Sequence, residues 1–86
     1  MPEMILVGKV KGYFENIGVA AVELVDELNV GDRILIEKDG VSFEQVVSSM
    51  ELEKLQVQRA FTGDRVGLKL DRKAEEGSSV YKLVLP

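Results

Sequence analysis

The chain contains no cysteine, no histidine and no tryptophan. Without thiols there is no disulfide framework, no thiolate zinc site and no cysteine nucleophile. Without imidazole the usual general base and the commonest metal ligand are missing, and a histidine-dependent serine triad is impossible. Proline stands only at positions 2 and 86, and no linker or low-complexity tract divides the chain. No apolar run approaches the ~18 residues that a membrane helix needs. Met1-Pro2-Glu3 leads straight into the first apolar stretch with no basic segment, which argues against a signal peptide and makes the cytoplasm the expected location. Positive charge is also short: 11 Lys and Arg face 15 Asp and Glu, for a net charge of −4. Affinity for nucleic acid comes largely from a basic face that neutralises phosphates, so this balance opposes tight non-specific binding and leaves room only for a local basic patch.

What is present suits one folded domain spanning residues 1–86, with 45% hydrophobic residues among the 86. One short phrase is written twice. Gly31-Asp32-Arg33-Ile34-Leu35-Ile36 returns as Gly63-Asp64-Arg65-Val66-Gly67-Leu68, and Glu76-Gly77-Ser78-Ser79-Val80-Tyr81 is a weaker third copy. In each, glycine supplies positive φ, aspartate bonds nearby backbone, and an apolar strand follows. Strands launched from Gly-Asp turns at long spacing define a small β-barrel or sandwich.

Reading along the chain, Met4-Ile5-Leu6-Val7 is apolar at every position and predicts a strand buried on both faces at its start, half exposed towards Phe14. Glu15-Asn16-Ile17-Gly18 is a turn, and Val19 to Val25 the second strand. Ile34 and Ile36 alternate with Arg33, Leu35 and Glu37, and Asp39-Gly40 predicts a two-residue type I′ hairpin turn. On the returning strand the apolar parity changes between Phe43 and Val46, which predicts a β-bulge near Glu44-Gln45. Leu52 and Leu55 carry helical spacing, but the segment from Glu51 to Arg59 is short and lacks an N-cap, so strand end plus loop is the reading. Val66, Leu68 and Leu70 mark another half-exposed strand. Arg72 to Gly77 is a charged loop, and Tyr81, Leu83 and Leu85 finish the sheet.

Candidate chemistry is sparse. Gly8, Gly12 and Gly18 form no phosphate-cradling motif and read as turn or bulge residues, so nucleotide hydrolysis is not expected. Glu51, Glu53, Glu75 and Glu76 could supply a carboxylate pair of glycosidase type, but solvated acids are the simpler account, and no calcium-type ladder is present. Lys9, Lys11, Tyr13 and Phe14 make a basic-aromatic stretch of the kind that stacks single-stranded nucleic acid, although an aromatic at a strand end more often packs a barrel mouth. No cofactor is implied.

Taken in order, several phrases carry a resemblance. They are Ile17-Gly18-Val19-Ala20-Ala21-Val22, Leu28-Asn29-Val30-Gly31-Asp32-Arg33-Ile34, Val47-Ser48-Ser49-Met50-Glu51-Leu52, and Ala60-Phe61-Thr62-Gly63-Asp64-Arg65-Val66-Gly67-Leu68. Together they resemble the second domain of elongation factor Tu and related translational GTPases, and also the barrel that ends many collagenase-like peptidases. The resemblance implies a closed antiparallel β-barrel of six to seven strands with Greek-key character. It implies a non-enzymatic module that docks on a GTPase-type or peptidase-type protein partner through an apolar outer patch. The alternative it implies is a domain that binds RNA or the tRNA 3′ end. In those factors a Glu-Met-Phe-Arg-Lys motif lies before Ala-x-x-Gly-Asp, and here the matching residues are Glu51, Leu52, Glu53, Lys54 and Leu55. Glu51 keeps the acid and Lys54 a positive charge, whereas Glu53 replaces the aromatic and Leu55 the second base. RNA binding further implies a basic cluster around Lys54, Lys69 and Lys82 or around Lys9 and Lys11.

Overall fold

Antiparallel pairing organises the whole chain. The computed structural model describes residues 3–85, and among them there is no helix. Ten strand segments occur: β1 Glu3–Phe14, β2 Val19–Leu24, β3 Leu28–Asn29, β4 Arg33–Lys38, β5 Val41–Val46, β6 Met50–Leu52, β7 Leu55–Gln56, β8 Arg59–Ala60, β9 Arg65–Lys69 and β10 Ser79–Val84. Eight of them form one sheet in the order β5-β4-β10-β1-β2-β9-β6-β7, and β3 pairs with β8. The first and last strands therefore lie side by side at its centre.

The twice-written phrase has the same geometry both times. Asp32 accepts from the Asn29 N–H at 2.9 Å while its own N–H donates to the Asn29 carbonyl at 3.1 Å. Asp64 repeats this on Phe61, at 2.9 and 3.0 Å. Gly31 and Gly63 sit at φ 98° and 93°, where a side chain would be strained. The Asp39-Gly40 turn also matches expectation, with φ 54° and 82° as type I′ requires.

β1 is long enough to bend twice, with register shifts between Leu6 and Gly8 against β10 and between Val10 and Gly12 against β2. Such shifts let one strand serve two curved neighbours. At the first of them Gly8 leaves no room: a Cβ there would lie 2.6 Å from the Glu23 carbonyl oxygen. The inner face of the curved sheet collects Val7, Val10, Val22, Leu24, Ile34, Ile36, Met50, Leu68 and Val80, all buried. Each such side chain contributes on the order of 1.5–3 kcal/mol of burial.

Three expectations need correction. The sheet is not closed by a hydrogen-bonded ladder; β5 and β7 are its two edges. Chain continuity brings the ends round instead, because β5 leads to β6 through Val47-Ser48-Ser49 alone, and β6 pairs with β9. A single side chain bridges the gap. The Gln45 amide donates to the Lys69 carbonyl at 2.9 Å and its oxygen accepts from the Asp71 N–H at 2.7 Å, standing in for a missing pair of main-chain bonds.

Gln45 also explains the second correction. It points inward and is buried, so the inward set is Phe43, Gln45 and Val47, followed by Met50 and Leu52. The parity change lies at Ser48-Ser49, not at Glu44-Gln45, where the β4–β5 register is unbroken. A pattern built on apolar residues skips an inward amide. Third, Glu51 to Arg59 is not strand end plus loop but a second tight hairpin, in which Leu52 pairs with Leu55.

Candidate functional site

The residues matched to the translation-factor motif form the β6–β7 hairpin. Glu51 pairs with Gln56 across it, and the Gln56 amide donates to the Glu51 carboxylate at 3.3 Å. Glu53 and Lys54 make the turn at φ 51° and 68°, two adjacent non-glycine residues in the left-handed region. Glu51, Glu53, Lys54 and Leu55 are all exposed, with Leu55 at 69%. They share one protruding tip, and none of them lines either of the two clefts described below.

The basic cluster drawn around Lys54, Lys69 and Lys82 is not assembled. Lys69 lies on β9 and its ammonium donates to the Ile17 carbonyl at 2.6 Å, by the β1–β2 turn. Lys82 lies on β10, two strands away from β9's neighbour β2, and donates to the Glu27 carbonyl at 3.1 Å. Lys9 stands opposite Glu23, which also pairs with Arg65 at 3.2 Å, so its row is of mixed charge. Tyr13 packs against the core as a barrel-mouth aromatic does, whereas Phe14 beside it is 53% exposed. Glu51 and Glu53 sit on the hairpin tip, while Glu75 and Glu76 lie on the loop before β10, so the four acids do not converge. Among the described residues no group of three or more acidic side chains is placed to hold a metal ion.

Two other features are better built. The first is the outer face of the central strands. Direct cross-strand partners share a face, so the register Leu6–Tyr81–Leu35 and the register Met4–Leu83–Arg33–Val46 lie as adjacent rows across β1, β10, β4 and β5. Met4, Leu6 and Val46 are 52%, 40% and 44% exposed, and Leu35, Tyr81 and Leu83 are half-buried. Arg33 and Glu44 form an exposed ion pair 3.7 Å apart, which separates Val46 from the apolar residues of β1, β10 and β4. Met4, Leu6, Tyr81, Leu83 and Leu35 make a contiguous apolar patch on a surface that water ordinarily occupies. The all-apolar run Met4-Ile5-Leu6-Val7 was the sequence signal for it. That run predicts burial on both faces, yet only the inner face is covered.

The second feature is a cleft of 390 Å³ between the β4–β5 hairpin and the loop before β10. Ile36, Phe43 and Ala74 make its floor, and Val41, Lys38 and Lys73 its rim. A shallower acidic hollow continues from it past Tyr13, Glu15 and Glu76. Lys38 donates to the Glu76 carbonyl at 2.7 Å. Lys73 meets Glu15 at 2.6 Å, and that hydrogen bond with its attraction holds the Glu15 carboxyl below its usual range and raises the Lys73 ammonium above its own. No local residue pattern marks this cleft, because it arises where the sheet fails to close.

These features coincide with a likeness to peptidase modules. No family model matches the chain. Over 78 residues it is 40% identical to an uncharacterized protease of Methanocaldococcus jannaschii, a match that takes in 90% of this chain and 19% of that protein. The chain thus spans about one-fifth of the curated relative's length. Among solved structures, the C-terminal domain of a U32-type peptidase from Geobacillus thermoleovorans superposes with a TM-score of 0.84 at 22% identity, covering 91% of each chain. The selenomethionine variant of that domain gives 0.81 at 22% identity, over 87% of this chain and 95% of the other. The fold is therefore that of an all-β module found at the end of a U32-type peptidase.

Proposed function

We propose that this chain is a non-catalytic module that docks on a peptidase core through the outer face of β1, β10 and β4. The observation that carries the reading is the partly exposed double row of Met4, Leu6, Leu35, Tyr81 and Leu83. A sheet face this apolar is stable in water at a cost, and covering it with a second layer is the ordinary solution. The occupant is a peptidase core because the relative at 40% identity carries this module as one-fifth of a larger protease. Absence of histidine and cysteine, together with the lack of converging acids, supports a supporting role over a catalytic one. The translation-factor-type Greek-key class belongs to the same proposal, with a GTPase core as the occupant it would favour instead.

The test mixes the 86-residue chain with the remainder of the Methanocaldococcus jannaschii protease, made as a separate protein. Sedimentation should show an equimolar complex. Leu6→Lys and Leu83→Lys should each weaken it by about tenfold or more, the scale of a central apolar anchor, without lowering the chain's own melting temperature. No complex, or a complex indifferent to both substitutions, overturns the docking face. The chain alone should cleave no peptide. Titration with CCA-ended RNA should leave the amides of Glu51 to Leu55 unmoved, whereas salt-sensitive shifts confined to that hairpin would establish the RNA-end alternative.

A further inference from the structure

The open seam of the sheet presents main chain as well as apolar surface. A two-residue turn at Asp39-Gly40 makes Lys38 and Val41 a hydrogen-bonded pair. Ladder bonds from β5 to β4 therefore leave from Val41, Phe43 and Gln45, and the N–H and C=O groups of Ser42, Glu44 and Val46 point to the free edge. The continuation agrees, since Val47 donates to the Asp32 carbonyl at 2.8 Å and accepts from Gly31 at 2.9 Å. Among the described residues, β5 pairs with no strand other than β4. On that edge the Val46 carbonyl is met only by the neighbouring Gln45 amide, at 3.4 Å.

At Gln45 the seam is bridged to Lys69 and Asp71, and towards the hairpin it widens into the 390 Å³ cleft. A free strand edge running beside an apolar floor is the arrangement in which an extended peptide adds as another strand, main chain giving affinity and alternate side chains specificity. Charge selects among such peptides. Asp39, Glu75, Glu76 and Glu15 surround the opening, against Lys38 and Lys73. Lys38 is ion-paired with Glu75 at 3.9 Å and Lys73 with Glu15 at 2.6 Å, so the charges left unanswered, Asp39 and Glu76, are negative.

We propose that this seam grips an extended, unstructured polypeptide of alternating apolar and basic residues. Its main chain pairs with β5 at Ser42 and Glu44, on the cleft side of the Gln45 bridge. One apolar side chain rests on Ile36, Phe43 and Ala74, and a lysine or arginine meets Asp39. That the occupant is substrate polypeptide rests on the peptidase reading above; the pairing itself does not.

The experiment needs only this chain and synthetic decapeptides that alternate leucine and lysine, followed by backbone amide shifts. Saturable shifts are expected on residues 41–46 and 72–78. Methylating every second peptide nitrogen, in one phase or the other, should weaken binding roughly tenfold, as loss of main-chain bonds does. Glu44→Pro removes one edge N–H while sparing the ladder to β4 and should do the same. Glutamate in place of lysine should weaken it too, and Leu83→Lys on the outer face should not. No saturable binding, equal affinity for both methylated peptides and the parent, or shifts on Met4 to Leu6 and Leu83 instead would each overturn the proposal. No peptidase core is involved, so this outcome and that of the docking experiment are independent.

Discussion

Two tight turns in this molecule have the same backbone and different sequences. Asp39-Gly40 reaches φ 54° and 82°, and Glu53-Lys54 reaches 51° and 68°. A left-handed conformation costs roughly 1–2 kcal/mol for a residue with a Cβ, and glycine escapes it. Aspartate and asparagine tolerate it better than glutamate does. Replacing Lys54 with glycine removes that cost but returns about 0.5–1 kcal/mol through the greater freedom of the unfolded chain. Adding Glu53→Asn recovers a further fraction, so the double variant should be more stable by about 1 kcal/mol. For a domain of this size that raises the melting temperature by roughly 4–8 °C. Calorimetry measures it directly, and urea unfolding with an unchanged slope confirms that the native state gained the stability. The reciprocal transplant, Asp39→Glu with Gly40→Lys, should lose a comparable amount. A double variant no more stable than the parent, or a transplant without cost, would refute the assignment of strain to the Glu53-Lys54 backbone. Pairing of Leu52 with Leu55 and the bond from the Val57 N–H to the Met50 carbonyl at 2.9 Å hold the strained turn in place.

Three other predictions follow from packing and charge. Gly8→Ala should destabilise by about 3 kcal/mol or more, since the new methyl meets a backbone oxygen that cannot rotate away, and the urea midpoint should fall accordingly; a change under ~1 kcal/mol would contradict the close approach. Gln45→Leu leaves the Asp71 N–H and the Lys69 carbonyl unpaired, so stability should drop by about 2–3 kcal/mol and the Asp71 amide should exchange faster than in the parent. Unchanged protection of Asp71 would show that the bridge is not formed. Glu15, held low by Lys73, adds stability that is present above the ordinary carboxylate range and fades as pH falls through its lowered folded value. Lys73, held high, adds stability that is present below the ordinary lysine value and fades as pH rises through its raised one. Both groups are exposed, so the effect on unfolding is small; Lys73→Met should instead move the Glu15 carboxyl titration upward, read from its carbon shift, and no movement would dismiss the pair.

The strands were legible where polar and apolar residues alternate on a half-covered sheet. Ile34 and Ile36, Val66 and Leu68, and the Asp39-Gly40 turn stand where the pattern put them. The exceptions have separate causes. Gln45 is an inward polar residue, and its amide is satisfied by main-chain groups of a distant segment, which no local pattern encodes. Glu53-Lys54 lacks the residues that announce a tight turn, because the adjoining pairs impose it against propensity. The open seam is a property of the whole sheet: its edges, β5 and β7, do not pair, and the step at Ser48-Ser49 instead passes the chain from β4's side to β9's. Of the candidate site, Glu51 to Leu55 was placed together on one tip, but the lysines meant to join it were spent on carbonyls elsewhere.

The two unoccupied surfaces differ in what they ask of a partner. The outer face offers mainly side chains, since β10 is paired on both sides by β1 and β4 and only the start of β1, before Gly8, has no strand beyond it, so shape and apolar area must largely decide what covers it. The seam offers unpaired main chain beside an apolar floor, so it accepts any extended segment and discriminates mainly by charge and by alternate side chains. A rigid folded body meets the first requirement and an unfolded chain the second. A module carrying both can stay fixed on one protein while holding another in extended form. The acidic rim at Asp39 then predicts which polypeptides are held longest: those in which apolar and basic residues alternate, so that an added strand turns its apolar side chains to one face and its basic ones to the other.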